Sequence, residues 1–324
     1  FFFQAEDCIR YSVASRGLGD VYKRQTLLFS ITGYAEEKKL SLSIDVPEYK
    51  QSNKHNSLNY NSRVRFLVIH YTSSNWQRSL ELLTLPEHEV SSHYLIPESF
   101  DETYNEEDLF VYQLVNENDR AWHAGKSKWE DRENINDQSI GIELVNNSSC
   151  YYQNDNKLLD FTDDYLCSFV DYDPKQIQLL IELVKQILER HLEITPTRVI
   201  GHADIQPTVK SDPGPKFPWQ ILYQHGIGAW YDHETVNKYW SKFTEGNLPS
   251  IAQVQCGLKT YGYGIEQTGQ YDEQTYDFIR AFQLHFQPWQ TDGRNDSRTV
   301  ATLWALLEKY FPNHLNAEGK LQCQ

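Results

Sequence analysis

The 324-residue sequence contains no methionine, few cysteines and a deficit of positive charge. Without methionine, Phe1 is not expected to be a native start. Thirty Lys and Arg residues face 45 Asp and Glu residues, giving a net charge of −15, and no basic stripe is present to hold a nucleic-acid backbone. The apolar runs are also far shorter than the roughly 20 residues that span a bilayer. The composition therefore indicates a globular protein that binds neither nucleic acid nor the interior of a membrane.

The first 62 residues are predicted to lie outside the folded domains. Residues 1–25 resemble translated sequencing-adapter read-through, so we do not expect them to belong to the native fold. Residues 26–62 are predicted to be the remnant of a secretory signal followed by a polar entry segment. A lipoprotein would carry a cysteine after the small residues of its signal, where this chain has Tyr34. We expect a periplasmic or secreted protein without a lipid anchor.

The cysteines are compatible with an exported protein. Outside residues 1–25 there are four of them: Cys150, Cys167, Cys256 and Cys323. An even number permits two disulfides in an oxidising compartment. The simplest of the three connectivities pairs Cys150 with Cys167 and Cys256 with Cys323, and four free thiols are the alternative.

Residues 63–240 have the pattern of an α/β domain. Residues 64–72 alternate as a buried strand that delivers His70 near its end, and Ser139–Leu144 forms a second strand. Asp173 and Pro174 open an amphipathic helix, and Val199–His202 is predicted to be a short strand that runs into the proline-rich loop. Strands that alternate with helices predict an α/β sandwich of sheet and helices.

Residues 248–311 have a different texture, typical of a small three-helix domain. Two copies of the pattern Gly-x-x-Asp-x-x-Thr begin at Gly269 and Gly293, and each predicts a turn followed by a helix N-cap. The predicted helices cover residues 251–261, 275–285 and 299–310. This domain contains no catalytic constellation, and residues 312–324 are predicted to be a tail.

Three residues of the first domain form a predicted metal-ligand set. His70 ends a strand, whereas His202 and Asp212 lie ten residues apart in a loop stiffened by three prolines. Two histidines and one carboxylate, with a fourth position left for water, are typical of catalytic zinc sites. The sequence therefore predicts one Zn²⁺ ion per chain and hydrolysis by activated water.

Glu143 and Lys210 are the predicted catalytic partners of this metal. Glu143 projects from the second strand and would act as the general base that returns a proton to the leaving amine. Lys210, two residues before Asp212, would stabilise the oxyanion of a tetrahedral intermediate. Each residue alone is more often structural than catalytic, so the prediction depends on the whole set.

The other histidines give weaker predictions. His88 and His93 resemble the metal-binding HExxH helix, but one extra residue would turn their side chains about 140° apart. We assign His93, Trp122 and His123 to substrate binding. The alternative for His93 is support of the fold or of the residues around the site, and the alternative for His123 is a packed structural role. No role is predicted for the remaining histidines, which are His55, His191, His225, His233, His285 and His314.

Six separated motifs resemble, in order, those of the zinc-dependent N-acetylmuramoyl-L-alanine amidases. They are VIHYT (68–72), SSHYLI (91–96), RAWHAG (120–125), SIGIE (139–143), GHADI (201–205) and DPGPKFPW (212–219). The resemblance implies the fold of peptidoglycan recognition proteins, a mixed β-sheet flanked by helices. It also implies zinc ligands at His70, His202 and Asp212 and catalytic roles for Glu143 and Lys210. The three-helix segment resembles the peptidoglycan-binding domain appended to many such enzymes.

This resemblance implies a monomeric peptidoglycan hydrolase that cuts the amide between N-acetylmuramic acid and the L-alanine of the stem peptide. Peptidoglycan or muropeptides would be its partners. One alternative is a non-catalytic peptidoglycan-recognition module, although such relatives typically lose a zinc ligand. Another is an endopeptidase acting within the stem peptide. Extra sequence at residues 98–108 and 146–173 departs from the family pattern near the expected cleft.

Overall fold

The computed structural model describes residues 50–152, 165–244, 246–316 and 318–323. Its contacts divide the chain into two units, residues 1–58 and 59–324, and the helices and strands of the described residues belong to the second. The predictions for residues 1–49, and for part of the insertion at residues 146–173, lie outside the described residues. Within the described ranges, no helix has the length and apolarity needed to cross a membrane.

A five-stranded mixed sheet forms the centre of the α/β domain. Its strand order is β3-β2-β6-β1-β9, and β3 is antiparallel to its neighbour whereas the other pairs are parallel. The central strand β1 is buried on both faces, as expected for a parallel strand between two others. In chain order the described strands are β1 (Phe66–Tyr71), β2 (Tyr94–Ile96), β3 (Tyr112–Gln113), β4 (Lys128–Trp129), β5 (Arg132–Glu133), β6 (Ser139–Leu144), β7 (Ser149–Tyr152), β8 (Tyr165–Ser168) and β9 (Val199–Gly201).

Helices flank this sheet and make up the C-terminal region. The longest, α2, begins at the predicted position, where the Asp173 side chain accepts a hydrogen bond from the backbone N–H of Lys175. Its buried face, which includes Leu180 and Val184, packs into the core beside the sheet. The described helices are α1 (Trp76–Thr84), α2 (Pro174–Arg190), α3 (His202–Ile205), α4 (Trp219–Gln224), α5 (His233–Trp240), α6 (Ile251–Tyr261), α7 (Glu273–Phe286) and α8 (Ser297–Tyr310).

The internal repeat is a pair of equivalent caps. Asp272 and Asp296 cap α7 and α8, as the repeat predicts. A buried glutamine from the preceding helix completes each cap. Gln255 accepts from the Gly269 N–H and donates to Thr275, and Gln283 makes the same two bonds to Gly293 and Thr299. The repeated motif therefore has a structural explanation.

Two disulfides link the four cysteines of the described residues in the simplest of the three connectivities. Cys150 and Cys167 face each other across the β7–β8 hairpin, and Cys256 of α6 is joined to Cys323. The second bridge ties the C-terminal end of the chain to the helical region.

The α/β domain and the C-terminal helices share one apolar core. Trp129, fully buried in the β4–β5 hairpin, contacts the rings of Tyr261 and Tyr263 from the C-terminal region. Gly262 lies between those tyrosines at φ +140°, and a Cβ there would come within 2.6 Å of the Trp129 ring. The described residues between 59 and 324 therefore form one compact unit, with a continuous interface between the α/β domain and the C-terminal helices.

A hydrogen-bond network around the half-buried Glu117 carboxylate fixes the loop that precedes Trp122 and His123. The Glu117 carboxylate accepts hydrogen bonds from Tyr94 of β2, from Arg190 at the end of α2 and from His191. Burial alone would raise the pKa of Glu117, but these three donors outweigh burial and lower it to about 2 from an ordinary value of 4.5. The charged form of Glu117 therefore stabilises the folded state.

We predict that Glu117→Gln lowers the free energy of unfolding by about 2 kcal/mol at neutral pH, because charge-assisted hydrogen bonds are lost. Since the pKa of Glu117 is lower in the folded state, its contribution is complete above pH 4.5 and is lost as pH falls toward 2. Urea unfolding between pH 2 and 7 should therefore show the wild type and variant converging in acid. Glu182→Gln, which removes an exposed pair with Lys185, is the control. A constant difference across this pH range would contradict the assignment.

Candidate metal centre and catalytic cavity

The carboxyl ends of three parallel strands bring the predicted site residues together. His70 near the end of β1 is in register with Glu143 of β6, so both side chains leave the same face of the sheet. Strand β9 ends at Gly201, and His202 follows as the first residue of α3. In parallel sheets, ligands bind beyond the carboxyl ends of the strands. The sequence predicted a strand through His202; the structure starts a helical turn there.

Three buried ligand atoms form a nearly equilateral triangle. His70 Nδ1 lies 3.0 Å from His202 Nδ1 and 3.0 Å from Asp212 Oδ2, and the last two atoms are 3.1 Å apart. With Asp212 ionised, at least one of these contacts joins two lone pairs or two N–H groups, whichever tautomers the histidines adopt. A cation at the centre of the triangle would remove this conflict. Among the described residues, this is the one cluster of histidine, cysteine and acidic ligands able to hold a metal ion.

The protonation states of His70 and Asp212 suit metal binding. Burial, together with the neighbouring His202, lowers the pKa of His70 to about 4. Burial would raise the pKa of Asp212, but the two imidazoles outweigh burial and hold it well below its usual range. At neutral pH the site therefore presents a neutral His70 imidazole and an ionised Asp212 carboxylate, the forms that coordinate metals.

His123 and Ser139 orient the His70 ring. If His70 offers the Nδ1 lone pair to a metal, its proton is on Nε2, which lies 3.0 Å from His123 Nδ1. His123 then donates through Nε2 to Ser139 Oγ at 3.1 Å, and Ser139 donates to the Ile135 carbonyl. Such partners fix the tautomer and orientation of ligating histidines. His123 thus contacts a predicted metal ligand, and it also lines the adjoining cavity.

Glu143 and Lys210 lie beside the metal ligands in a cavity of about 340 Å³. Glu143 Oε2 is buried and has no hydrogen-bond partner in the described part of the chain. Burial, reinforced by Asp212, raises the pKa of Glu143 to about 8. Lys210 is close enough for its charge to lower the pKa of both Glu143 and His70. The cavity is therefore lined by Glu143, Lys210 and two of the three predicted metal ligands, His202 and Asp212.

The three predicted substrate residues occupy different positions. Trp122, 53% exposed, lies at the cavity rim, and His123 lines its wall. His93 is fully buried; its Nδ1 accepts from the Gly141 N–H, and its Nε2 lies 3.3 Å from the Asp119 carbonyl oxygen. The residues that line this cavity do not include His93.

The sequence analysis did not identify several residues around the segment 202–212, which carries His202 and Asp212 and is called the metal loop below. Asp204, in the first turn of α3, accepts hydrogen bonds from Tyr263 and His285 of the C-terminal region. Asp204 lies three residues after Gly201 at the start of a helix, and this spacing is typical of a helix N-cap. No sequence signal could connect His285 to it, because 81 residues separate them.

Comparisons with known proteins identify the family of this chain. Residues 60–215 match the family model for N-acetylmuramoyl-L-alanine amidase, and residues 247–303 match one for a peptidoglycan binding domain. The chain is 42% identical over 248 residues to the N-acetylmuramoyl-L-alanine amidase AmiD of Escherichia coli, which covers 76% of this chain and 84% of the relative. The chain belongs to the N-acetylmuramoyl-L-alanine amidase family. The amidase is accordingly a peptidoglycan hydrolase, and the alternative of a recognition module without catalysis is set aside.

Solved structures show that the amidase fold extends over both regions. AmpDh3 from Pseudomonas aeruginosa superposes with a TM-score of 0.73 at 41% identity, covering 82% of this amidase and 99% of that chain. AmiD from E. coli, in complex with anhydro-N-acetylmuramic acid-L-Ala-D-gamma-Glu-L-Lys, superposes with a TM-score of 0.67 at 38% identity, covering 81% and 95%. These matches confirm the predicted mixed sheet flanked by helices.

The packing of Gly141 against His123 gives a test of the bracing of His70. A Cβ at Gly141 would lie 2.5–2.7 Å from His123 ring atoms, so Gly141→Ala must displace the partner of His70 Nε2. We predict that this variant of the amidase binds a divalent metal ion about tenfold more weakly, as for other changes to partners of metal ligands. Chelator competition would measure the affinity.

Gly257→Ala is the matched control, because its added methyl would meet a flexible Leu303 side chain in α8. Equal metal affinities in wild type and Gly141→Ala would refute the role of His123.

Proposed function

We propose that this amidase binds one zinc ion through His70, His202 and Asp212 and hydrolyses the amide between N-acetylmuramic acid and L-alanine. The main support for the proposal is the triangle of ligand atoms, 3.0–3.1 Å on each side. Two of its residues, His202 and Asp212, line one cavity together with Glu143 and Lys210. All five residues come from one chain, so a monomer contains the complete set.

The donor set fits zinc. Two imidazole nitrogens and one carboxylate oxygen are ligands typical of catalytic zinc, with a fourth position left open. Bonds of about 2.0–2.1 Å in a tetrahedron separate the ligand atoms by about 3.3 Å, and the observed sides of the triangle are slightly shorter. When bound, zinc would act as a Lewis acid and lower the pKa of water from 15.7 to about 7.

Glu143 would move the proton during the reaction. Its raised pKa reflects a carboxyl group in a poorly solvated place, which favours proton exchange near neutral pH. We assign it to accept a proton from the attacking water and to deliver it to the alanine nitrogen as the C–N bond breaks. The free Oε2 lone pairs are available for this exchange.

Lys210 would stabilise the negative charge that develops on the carbonyl oxygen. It lies in the same cavity as Glu143 and two residues from Asp212. Its ammonium donates hydrogen bonds and has full positive charge, so its effect grows as the tetrahedral intermediate forms.

The substrate we propose is a muropeptide or peptidoglycan strand. The related AmiD structure contains an anhydro-muramyl tripeptide, and a cavity of about 340 Å³ is within the range of small-ligand sites. The exposed Trp122 ring at the rim offers a stacking surface for the sugar or the stem peptide. Two disulfides and a peptidoglycan-binding domain support a location in the oxidising cell envelope.

The direct test is metal analysis together with digestion of peptidoglycan and of a soluble anhydro-muramyl peptide. We predict one zinc ion per wild-type chain. The digestion should release free stem peptides and leave peptide-free glycan, and both the zinc and these products should be lost in His202→Ala. Mass spectrometry of the products identifies the bond. Cut peptides that stay attached to glycan would identify an endopeptidase instead, and a folded protein that releases nothing would contradict catalysis.

A second prediction separates the roles of Glu143 and Lys210 from metal binding. Glu143→Gln should lower kcat by roughly 10²–10⁴, and Lys210→Met should lower it by about 10²–10³. Both variants should retain zinc. Lys216→Met removes a lysine paired with Asp171 on the surface and should leave kcat unchanged. Loss of zinc from either active-site variant, or wild-type rates, would refute the assignment.

A further inference from the structure

Asp204 is a buried carboxylate adjacent to the metal ligands that the proposed reaction does not use. It is 1% exposed, and it accepts three hydrogen bonds. Oδ2 accepts from the Gly201 N–H at 2.7 Å and from His285 Nδ1 at 2.8 Å, while Oδ1 accepts from the Tyr263 hydroxyl at 2.7 Å. One bond therefore holds the backbone directly before His202, and the other two come from the C-terminal region.

The two C-terminal donors are themselves rigidly held. His285 of α7 is 5% exposed and stacks on Trp219, with ring centroids 3.8 Å apart and planes 13° apart. Tyr263 is 1% exposed and packs edge-on against Trp129. Both lie within the range that matches the peptidoglycan binding domain, residues 247–303.

The turn that carries His202 has little freedom of its own. The Ala203 N–H donates to the Asp212 carbonyl at 2.8 Å, so the turn and the third ligand are directly joined. A Cβ at Gly201 would lie 2.6 Å from Pro213, which shows how closely these segments pack. Arg280 of α7 donates to the Ser211 hydroxyl at 3.2 Å, directly before Asp212. Helix α7 thus contacts the metal loop beside both of its ligands.

We propose that Tyr263 and His285 are positioning residues for the metal centre, holding the Asp204 carboxylate and through it the backbone that presents His202. The C-terminal helices are then part of the catalytic centre in addition to any contact they make with peptidoglycan. This inference rests on the proposed metal site.

The physical reason is the cost of misplacing one vertex of the ligand triangle. Zinc holds its ligands at short, well-defined distances, and a rotation of α3 would move His202 Nδ1 away from the other two atoms. Changes to residues that orient metal ligands typically lower metal affinity by 10- to 100-fold. A domain that only bound polymer would have no effect on the affinity of the site for a free ion.

The test measures zinc affinity in the full chain by chelator competition and records the visible spectrum of the Co²⁺-substituted protein. Tyr263→Phe removes only the hydroxyl, and His285→Phe keeps a ring to stack on Trp219. We expect each variant to bind zinc about tenfold more weakly, the double variant more weakly still, and the cobalt bands to shift. His285→Asn, which keeps a nitrogen donor near the Nδ1 position, should restore most of the affinity.

Tyr239→Phe is the matched control. Tyr239 is 1% exposed, and its hydroxyl donates to Glu308 at 2.6 Å in the helical region, so the same hydroxyl–carboxylate bond is lost in a pair that does not include Asp204. We expect this variant to lose thermal stability while keeping wild-type zinc affinity and cobalt spectrum. The same pattern in Tyr263→Phe and His285→Phe would overturn the inference. A wild-type chain without bound zinc would overturn the proposed function as well.

Discussion

Three buried ligand atoms, His70 Nδ1, His202 Nδ1 and Asp212 Oδ2, are held in mutual contact, and the structure around them must keep them there. The ligand atoms of His70, His202 and Asp212 lie 3.0–3.1 Å apart, and each residue is at most 6% exposed. Without a cation this arrangement is unfavourable, because buried polar atoms that face one another lack compensating bonds. The fold must therefore hold the ligands in place, and preorganisation of this kind requires support around each one.

Each ligand has a separate support. The His70 ring is held by the chain of hydrogen bonds through His123 and Ser139. Tyr172 donates to the Pro213 carbonyl, directly after Asp212. His202 depends on a four-residue helix, too short to be stable alone. The support that is weakest by local structure is thus the one that Tyr263 and His285 reinforce through Asp204.

The sequence was sufficient for the parts of the site that depend on local pattern. The strand before His70, the strand around Glu143 and the cap at Asp173 follow from periodicity and capping rules, and the structure contains all three. The helices of the repeat were predicted within two residues at each end, since Asp272 and Asp296 mark their starts. The ligand set followed from residue types and from the resemblance to a family.

What the sequence did not reveal are the contacts between distant segments. His285 carried no predicted role because neither its spacing nor its neighbours indicate a partner, and its partner Asp204 is 81 residues away. His123 was assigned to the substrate, and the structure places it against His70 as well as against the cavity. Helical periodicity identifies a buried face, but it does not identify what covers that face.

The continuous core fixes the position of the C-terminal helices relative to the α/β domain. Domains joined by a flexible linker raise the local concentration of substrate without fixing its orientation. In this chain Trp129 packs against Tyr261 and Tyr263, and α7 contacts the metal loop, so residues 59–324 form one compact unit. A glycan strand bound to the C-terminal helices would therefore meet the cavity at a fixed distance and angle. Movement of the helices relative to the sheet would disturb His202, and for this reason rigidity between the two regions serves the metal site and the alignment of a polymeric substrate together.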